Sequence, residues 1–336
     1  MTSDDETRFL FEAISLAKKG QGHTRPNPPV GAVVVKDGNI VGRGWHRKAG
    51  LDHAEVAAIK NARRNGFSRL DGATIYVTLE PCSKPGRVGA CTDAIIAAGI
   101  SRVVYAIPDP NPKNRGKAKR ALAKAGIACG RAKDKSVIRA AGELIAPFAK
   151  HVTTGIPYVT VKIAMSLDGR ICDDFGDARW ISSEAARRET GRLRESVDAI
   201  MVGAETVRKD NPSLLSHGRP NPDLIRVVVS KSGRLPKAAQ VFTDGAPNRT
   251  LVFGDAKKAL EELGRMGALH VLCEGGLRLA TSLAEDGLVD RWISVVAPCV
   301  IGSRHVGKKI EFRSVGAMRD TRLTGGDLIM ESAKAE

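Results

Sequence analysis

Residues 73–99 read ATIYVTLEPCSKPGRVGACTDAIIAAG, and they set the architecture of the first half of the chain. Their opening, Ala73–Thr78, is an apolar and β-branched run that predicts a strand. Cys82 follows behind Pro81, a loop comes next, and a helix is expected to start near Cys91 and stop at Gly99. Strand, loop and helix in that order are one step of an α/β layer, and the flanking sequence repeats the step. Upstream, Phe9, Leu10, Ala13, Ile14 and Ala17 recur at helical spacing between Asp4 and Lys19, with acidic residues in the first turn and Gly20 as a stop. Val30 to Val35 and Ile40 to Val41 flank Lys-Asp-Gly-Asn, a hairpin turn. A helix is expected from about Ala54 to Arg64, ending at Gly66. Downstream come a strand (Arg102 to Ala106), a helix (about Gly116 to Ala125), a short strand (Ile127 to Cys129) and a helix from about Asp134 to Lys150.

A second α/β unit begins with the strand Tyr158 to Ala164, after a boundary at His151-Val-Thr-Thr-Gly-Ile-Pro157. Its further strands are expected at Ala199 to Val202, Ile225 to Ser230, Thr250 to Phe253, Leu269 to Cys273 and Asp290 to Ala297. Two domains, 1–150 and 151–336, suit a chain of 336 residues, since one domain takes roughly 150.

Hydrophobic residues make up 42% and charged residues 27%, ordinary values for globular domains. The longest apolar run, Val30 to Val35, is far shorter than the roughly 20 residues of a membrane span. The N-terminus opens acidic, without the basic and then apolar pattern of a secretory signal, so a cytoplasmic location is expected. There the six cysteines stay reduced. The net charge of +16 attracts anions, which could be nucleic acid or a phosphorylated small molecule. Aromatic residues, at 4%, leave few platforms for stacking bases, which argues against nucleic acid. The cations are spread along the chain except for a denser stretch from Lys113 to Arg139.

The chemistry concentrates on His53-Ala-Glu55, Pro81-Cys82 and Cys91. A catalytic zinc takes three nitrogen or sulfur ligands and leaves one position open. His53 offers the nitrogen at the start of a helix, and Cys82 and Cys91 offer thiolates, favoured near helix N-termini. Glu55, two residues past the histidine, is placed as the carboxylate that moves protons without binding the metal. A capping glutamate with two loop cysteines is the plainer reading, and three ligand types in this context outweigh it. Eight residues separate Cys82 from Cys91, where nucleic-acid and nucleoside deaminases usually have two.

With that spacing the chain resembles the bifunctional deaminase/reductase family of riboflavin biosynthesis, along nearly its whole length. The carriers are Arg25-Pro-Asn27-Pro-Pro-Val-Gly31, Gly44-Trp-His46-Arg-Lys-Ala-Gly50, His53-Ala-Glu55 and Thr78-Leu-Glu80-Pro-Cys82-Ser to Cys91. In the second half they are Val161-Lys162-Ile-Ala-Met-Ser166-Leu-Asp168-Gly169-Arg170, Arg179-Trp180-Ile-Ser182, Ala199 to Thr206, Lys209-Asp210-Asn-Pro212 and Glu274-Gly275-Gly276. The resemblance implies a cytidine-deaminase-like three-layer domain followed by a dihydrofolate-reductase-like α/β domain. It implies a zinc-dependent deaminase acting on a phosphorylated pyrimidine, with Asn27, His46 and Arg87 at the substrate. It further implies NADPH as the hydride donor that reduces the ribosyl group to ribityl. Asp210 and Lys162 match catalytic positions, and Trp180, Ser182, Arg194, His217 and Glu274 match substrate-binding ones. Ala164, Ser166, Gly203, Thr206, Gly275 and Gly276 match the cofactor site. Independently, a strand followed by Glu-Gly-Gly and a helix lets backbone approach a pyrophosphate at a helix N-terminus. A homo-oligomer, dimer or tetramer, is expected, because a sheet with exposed helices often dimerises in such enzymes.

The chain departs from the family at several places. Lys84 replaces a histidine, Val88-Gly-Ala90 replaces Thr-Pro-Pro, Ala178 replaces a serine, and His217 stands where an arginine is expected, with Arg219 close by. Two rival readings follow from these departures and from the charge. One is a tRNA or DNA base deaminase with an accessory domain. The other is a paralogue whose reductase half is altered or inactive and only binds a pterin- or flavin-like ligand.

Overall fold

The computed structural model describes residues 3–84, 89–173, 181–216, 220–245, 249–302 and 317–334. The chain divides into two compact units, Met1–Gly155 and Ile156–Glu336.

In the first unit the elements are α1 (Ser3–Lys18), β1 (Gly31–Lys36), β2 (Asn39–Trp45), α2 (Ala54–Arg64), β3 (Thr74–Leu79), α3 (Cys91–Ala97), β4 (Arg102–Ile107), α4 (Lys117–Lys124), β5 (Ala128–Arg131) and α5 (Lys135–Thr154). The sheet runs β2-β1-β3-β4-β5, with β1 antiparallel to its neighbours and β3, β4 and β5 parallel. Successive strand side chains point to opposite faces, and here both faces are covered. Ala32, Val34, Ile75, Val77 and Val103 pack with residues of α2, α3 and α4. Val33, Val35, Tyr76 and Val104 pack with α1 and α5. That is why the strands read as continuous apolar runs rather than alternating ones. The result is the three-layer unit expected from sequence.

Two local features place the site. The β1–β2 turn carries Asp37 at φ 49° and Gly38 at φ 77°, the conformation a tight hairpin needs. On β2, a Cβ at Gly44 would lie 2.5 Å from the Ala54 carbonyl oxygen and 2.3 Å from the Ala58 nitrogen. Only glycine lets α2 lie this close to the sheet, so Gly44 sets the height of the helix start that carries His53 and Glu55.

One expectation needs correction. The helix expected to end near Lys150 runs on as α5 through Thr154, with His151 to Thr154 as its last turn. The Thr153 and Thr154 hydroxyls donate to carbonyls at Ala149 and Lys150, and Gly155 in the left-handed region ends the helix. Polar residues that bond back to their own helix hide its continuation.

The second unit holds β6 (Tyr158–Ser166), α6 (Glu184–Gly191), a 3-10 turn (Arg192–Glu195), β7 (Ala199–Gly203), α7 (Ala204–Asp210), β8 (Ile225–Val229), α8 (Gln240–Thr243), β9 (Thr250–Phe253), α9 (Ala256–Arg265), β10 (His270–Cys273), α10 (Leu277–Glu285), β11 (Arg291–Ala297), β12 (Ala317–Thr324) and β13 (Asp327–Ala333). The eight strands run β12-β13-β11-β6-β10-β7-β8-β9. From β11 to β9 neighbours are parallel, and β13 and β12 continue the sheet as an antiparallel hairpin. That hairpin is absent from the expected strand list. Residues of α9 and α10 cover one face, and Val207, Val241 and Leu214 pack on the other. No helix among the described residues is long and apolar enough to cross a membrane.

Candidate functional site

In the first unit the parallel strands deliver their carboxyl ends to one cavity of about 250 Å³. His53 caps the N-terminus of α2 with extended backbone, and Cys91 opens α3. Cys82 lies in the loop three residues past β3. The His53 Nδ1 is 3.1 Å from the Cys91 Sγ and 3.6 Å from the Cys82 Sγ, and the two sulfurs are 3.1 Å apart. Among the described residues this is the group of His, Cys, Asp and Glu side chains able to hold a metal.

The donors suit zinc. Bonds of roughly 2.3 Å to sulfur and 2.0 Å to nitrogen in a tetrahedron put ligand atoms about 3.5–3.8 Å apart, slightly wider than the present triangle. Hydrogen bonding from the Cys91 thiol, helped by His53 and the Cys91 backbone N–H, holds Cys82 down to about 4 against the opposing effect of burial. Cys91, bound to that thiolate and buried, is pushed well above the usual thiol range. The pair therefore shares one proton, which a dication would displace.

Glu55 sits in the first turn of α2 and is buried, 3% exposed. Burial, with the Cys82 charge adding to it, pushes its carboxyl up to about 7. His46, at the end of β2, faces Asn27: the Asn27 Nδ2 lies 3.0 Å from the His46 Nε2, while the His46 Nδ1 lies 3.0 Å from the Asp52 carbonyl. Desolvation lowers the His46 pKa, so the ring is neutral, with Nδ1–H donating to Asp52 and Nε2 accepting from Asn27. Asn27, His46, His53, Glu55 and Cys82 all line the cavity. Arg87 and Val88 lie outside the described residues.

Sequence reading missed part of this wall. Glu80, Asp109, Asn111, Asn114 and Phe148 also line the cavity. Buried Glu80 accepts from the backbone N–H groups of Asp109, Gly116 and Ala118, which ties the 109–116 loop to the end of β3. Asp109 in turn accepts from the Asn111 N–H and the Asn114 side chain. The available signal was Asp109-Pro-Asn111-Pro directly after β4, where turn formers at a strand's carboxyl end mark a ligand loop.

In the second unit a cavity of about 270 Å³ is lined by Lys162, Ala164, Ser182, Thr206, Asp210, Glu274, Gly275 and Gly276, together with Ile163, Ile171, Ile181 and Arg187. Eight of the expected residues thus meet, coming from β6, the segment before α6, α7 and the β10–α10 turn. Burial lowers the Lys162 pKa, opposed by Glu274 and reinforced by Arg194 and Arg187. Arg194 stands behind this wall: its Nε and Nη2 reach the two Glu274 oxygens at 2.9 and 2.7 Å, and its Nη1 donates to the Leu215 carbonyl. The position of Glu274 is fixed by that pair. Ser166 does not open onto the cavity through its side chain, which is fully buried and bonded to Asp168 and to Arg170 in the turn after β6. Gly203 caps α7 next to the cavity. A Cβ on Gly275 would meet Leu279 Cδ2 at 2.7 Å and the Gly203 nitrogen at 3.3 Å, whereas Gly276 has nothing closer than 3.8 Å. The α10 N-terminus is therefore approachable, as a phosphate-bearing cofactor requires. Trp180, His217 and Ala178 lie outside the described residues.

Comparison with known proteins agrees with both halves. Residues 3–107 match the cytidine and deoxycytidylate deaminase zinc-binding region, and residues 157–325 match the RibD C-terminal domain. The riboflavin biosynthesis protein RibD of Aquifex aeolicus is 38% identical over 326 residues, covering 90% of this chain and 89% of that one. This chain belongs to the RibD family. Solved RibD structures share its whole fold. Acinetobacter baumannii RibD superposes with a TM-score of 0.87 at 31% identity over 100% of both chains. The Thermotoga maritima diaminohydroxyphosphoribosylaminopyrimidine deaminase/5-amino-6-(5-phosphoribosylamino)uracil reductase gives 0.89 at 31% over 99% of both. The RibD match along the full chain, reductase domain included, disfavours a nucleic-acid base deaminase with an unrelated accessory domain.

Proposed function

We propose that this RibD family member deaminates diaminohydroxyphosphoribosylaminopyrimidine in its first unit and reduces 5-amino-6-(5-phosphoribosylamino)uracil to the ribityl compound with NADPH in its second. The observation that carries the reading is the convergence of His53, Cys82 and Cys91 beside buried Glu55 in a pocket walled by Asn27 and His46. The reaction exchanges an exocyclic amine for oxygen, with water consumed and ammonia released.

His53, Cys82 and Cys91 would hold zinc, which when bound makes water acidic near neutral pH and so available as a nucleophile. Glu55 takes a proton from water and returns one to the departing amine, and its raised pKa suits both directions near pH 7. Neutral His46, fixed by Asp52, keeps Asn27 oriented toward the ring. In the second unit Gly275 and Gly276 leave space for NADPH, which supplies the hydride. Lys162 and Asp210 stand in the same cavity to bind the ribosyl group and protonate its oxygen as the ring opens. Ser182 and Glu274 complete the substrate wall of the second unit, where Trp180 and His217 add contacts to the same substrate by family match, and Arg87 contacts the deaminase substrate of the first unit on the same ground. A reducing cytoplasm suits the free thiols of the metal site, and a homodimer or homotetramer is the proposed assembly.

The test is to follow ammonia release and NADPH absorbance together. Ammonia release abolished in Glu55→Gln and NADPH oxidation that requires the deaminated product support both halves. Ammonia without NADPH oxidation removes the reductase assignment.

A further inference from the structure

More than half of the chain's net charge is concentrated in one short stretch. Residues 111–139 hold ten lysines and arginines against one carboxylate, Asp134, in a chain of net charge +16. Asp134 is occupied in capping α5. Lys113, Arg115, Arg131 and Lys133 are exposed, and no described carboxylate pairs with them.

The fold places these four beside the deaminase cavity. β3, β4 and β5 are parallel, so the end of β5 at Arg131 lies at the same end of the sheet as Leu79 and Ile107, where the cavity opens. Lys113 and Arg115 belong to the loop whose Asn111 and Asn114 line the cavity. The Asn111 side chain accepts the Lys113 N–H at 3.0 Å, and Glu80 holds the far side of that loop. Lys113 and Arg115 therefore ride on the loop that forms part of the cavity wall, and Arg131 ends a strand at the same edge of the sheet. Inside, the lining carboxyl residues Glu55, Glu80 and Asp109 are all buried, and no lysine or arginine lines the cavity among the described residues.

We propose that this basic rim is an electrostatic collector for the phosphate of the deaminase substrate, and that it orients the substrate phosphate outward and base inward. This rests on the function proposed above. A phosphate dianion is attracted by the rim, while the amine-bearing carbon must reach Glu55. A stretch of 111–139 without a single aromatic residue offers no base-stacking platform, which favours a small phosphorylated ligand over single-stranded nucleic acid.

Position separates this from a general effect of net charge. α2 runs from the cavity at His53 to Arg63 and Arg64, roughly 16 Å away at 1.5 Å per residue, and α4 likewise carries Lys124 away from the cavity. Those cations lie beyond the Debye length of about 8 Å at physiological salt. The comparison is between a near triple variant, Lys113→Gln/Arg115→Gln/Arg131→Gln, and a far triple variant, Arg63→Gln/Arg64→Gln/Lys124→Gln. Each removes the same charge.

The zinc-loaded chain is assayed for deamination of the phosphorylated pyrimidine and its dephosphorylated counterpart across a salt series. The near variant is expected to lose about ten-fold in kcat/KM at physiological ionic strength, through KM, and to flatten the salt dependence. The far variant should change by less than about two-fold, and the dephosphorylated compound should be insensitive in all three proteins. Equal effects of the two triples, or equal effects on the two compounds, overturn the proposal. Calorimetric binding of both compounds to zinc-loaded Glu55→Gln chains repeats the comparison without turnover. Phosphate-dependent binding that weakens only in the near variant, when the zinc-loaded chain with Glu55 intact releases no ammonia, upholds the rim and sinks the deaminase reading. Tight RNA binding lost in the near triple, with unchanged kinetics and binding of the pyrimidine, assigns the rim to nucleic acid and also overturns the proposal.

Discussion

The guanidinium of Arg226, wholly buried on β8, donates to the Ser213 carbonyl at 2.8 Å and grips both oxygens of Asp244. It thereby anchors the turn that follows Asp210. That turn is strained: Asn211 has φ 43° and Leu214 has φ 59°, in the region that side chains disfavour, and Leu214 is buried in the core. Arg194 adds a bond to the Leu215 carbonyl, and the Asn211 side chain accepts from Gln240. Arg226→Leu should leave Asp244 uncompensated and lower stability by about 3–5 kcal/mol. Arg226→Lys, which keeps the charge but loses the fork, should fold and raise the reductase KM with little change in kcat. Unchanged KM in the folded lysine variant would show that the turn holds Asp210 without this anchor.

Cys82→Ser tests the metal assignment separately from the rest of the chain. Its zinc content should fall to near zero and deamination should vanish. NADPH oxidation with the deaminated product supplied should persist, because the second unit has its own core. Full zinc content in this variant would remove Cys82 from the ligand set. Chelator treatment of the unaltered protein should reproduce the split, and added zinc should reverse it.

Glu55→Gln makes the complementary cut. The amide preserves shape and cannot carry the proton, so deamination should fall by about 10²–10⁴-fold while one zinc remains bound. Loss of the metal together with activity would instead make Glu55 a part of the zinc site.

The sequence showed some parts of this molecule more clearly than others. α2 was legible to the residue, since Ala54, Ala58, Ile59 and Ala62 fall on one face and Gly66 follows. The zinc donors were legible because the chemistry restricts residue type and because each marks the start of a helix or the end of a strand. The β12–β13 hairpin was not. Its core-facing strand carries Glu331 and Ser332, both buried, where an apolar alternation would be sought. Glu331 is accommodated by ion pairs with Arg291 and Arg322, partners that only the folded sheet brings together. On β12 the exposed residues include Met318 and Leu323, which inverts the usual pattern. Glu80 was overlooked for a similar reason: its three partners are backbone N–H groups from a loop some thirty residues away.

His270 gives the second unit a definite pH dependence. Its ring packs edge-on against Tyr158 at 5.4 Å, and its Nε2 lies 2.8 Å from the Thr160 hydroxyl, which donates to the neutral ring. Burial, reinforced by the Arg291 charge, lowers its pKa to about 3. Below the ordinary histidine value of about 6.5, the unfolded chain binds a proton that the folded chain refuses. Stability contributed by the neutral ring is therefore present above pH 6.5 and is lost as pH falls toward 3. Because the residue is only partly enclosed, the slope should be at most about 1 kcal/mol per pH unit. Urea unfolding of the full chain, followed by a signal from Trp292 in the second unit, should show that slope between pH 6 and pH 4. It should be shallower in His270→Gln, whose amide does not titrate and can still meet Thr160. The same slope in both proteins would remove His270 as the source of the acid sensitivity.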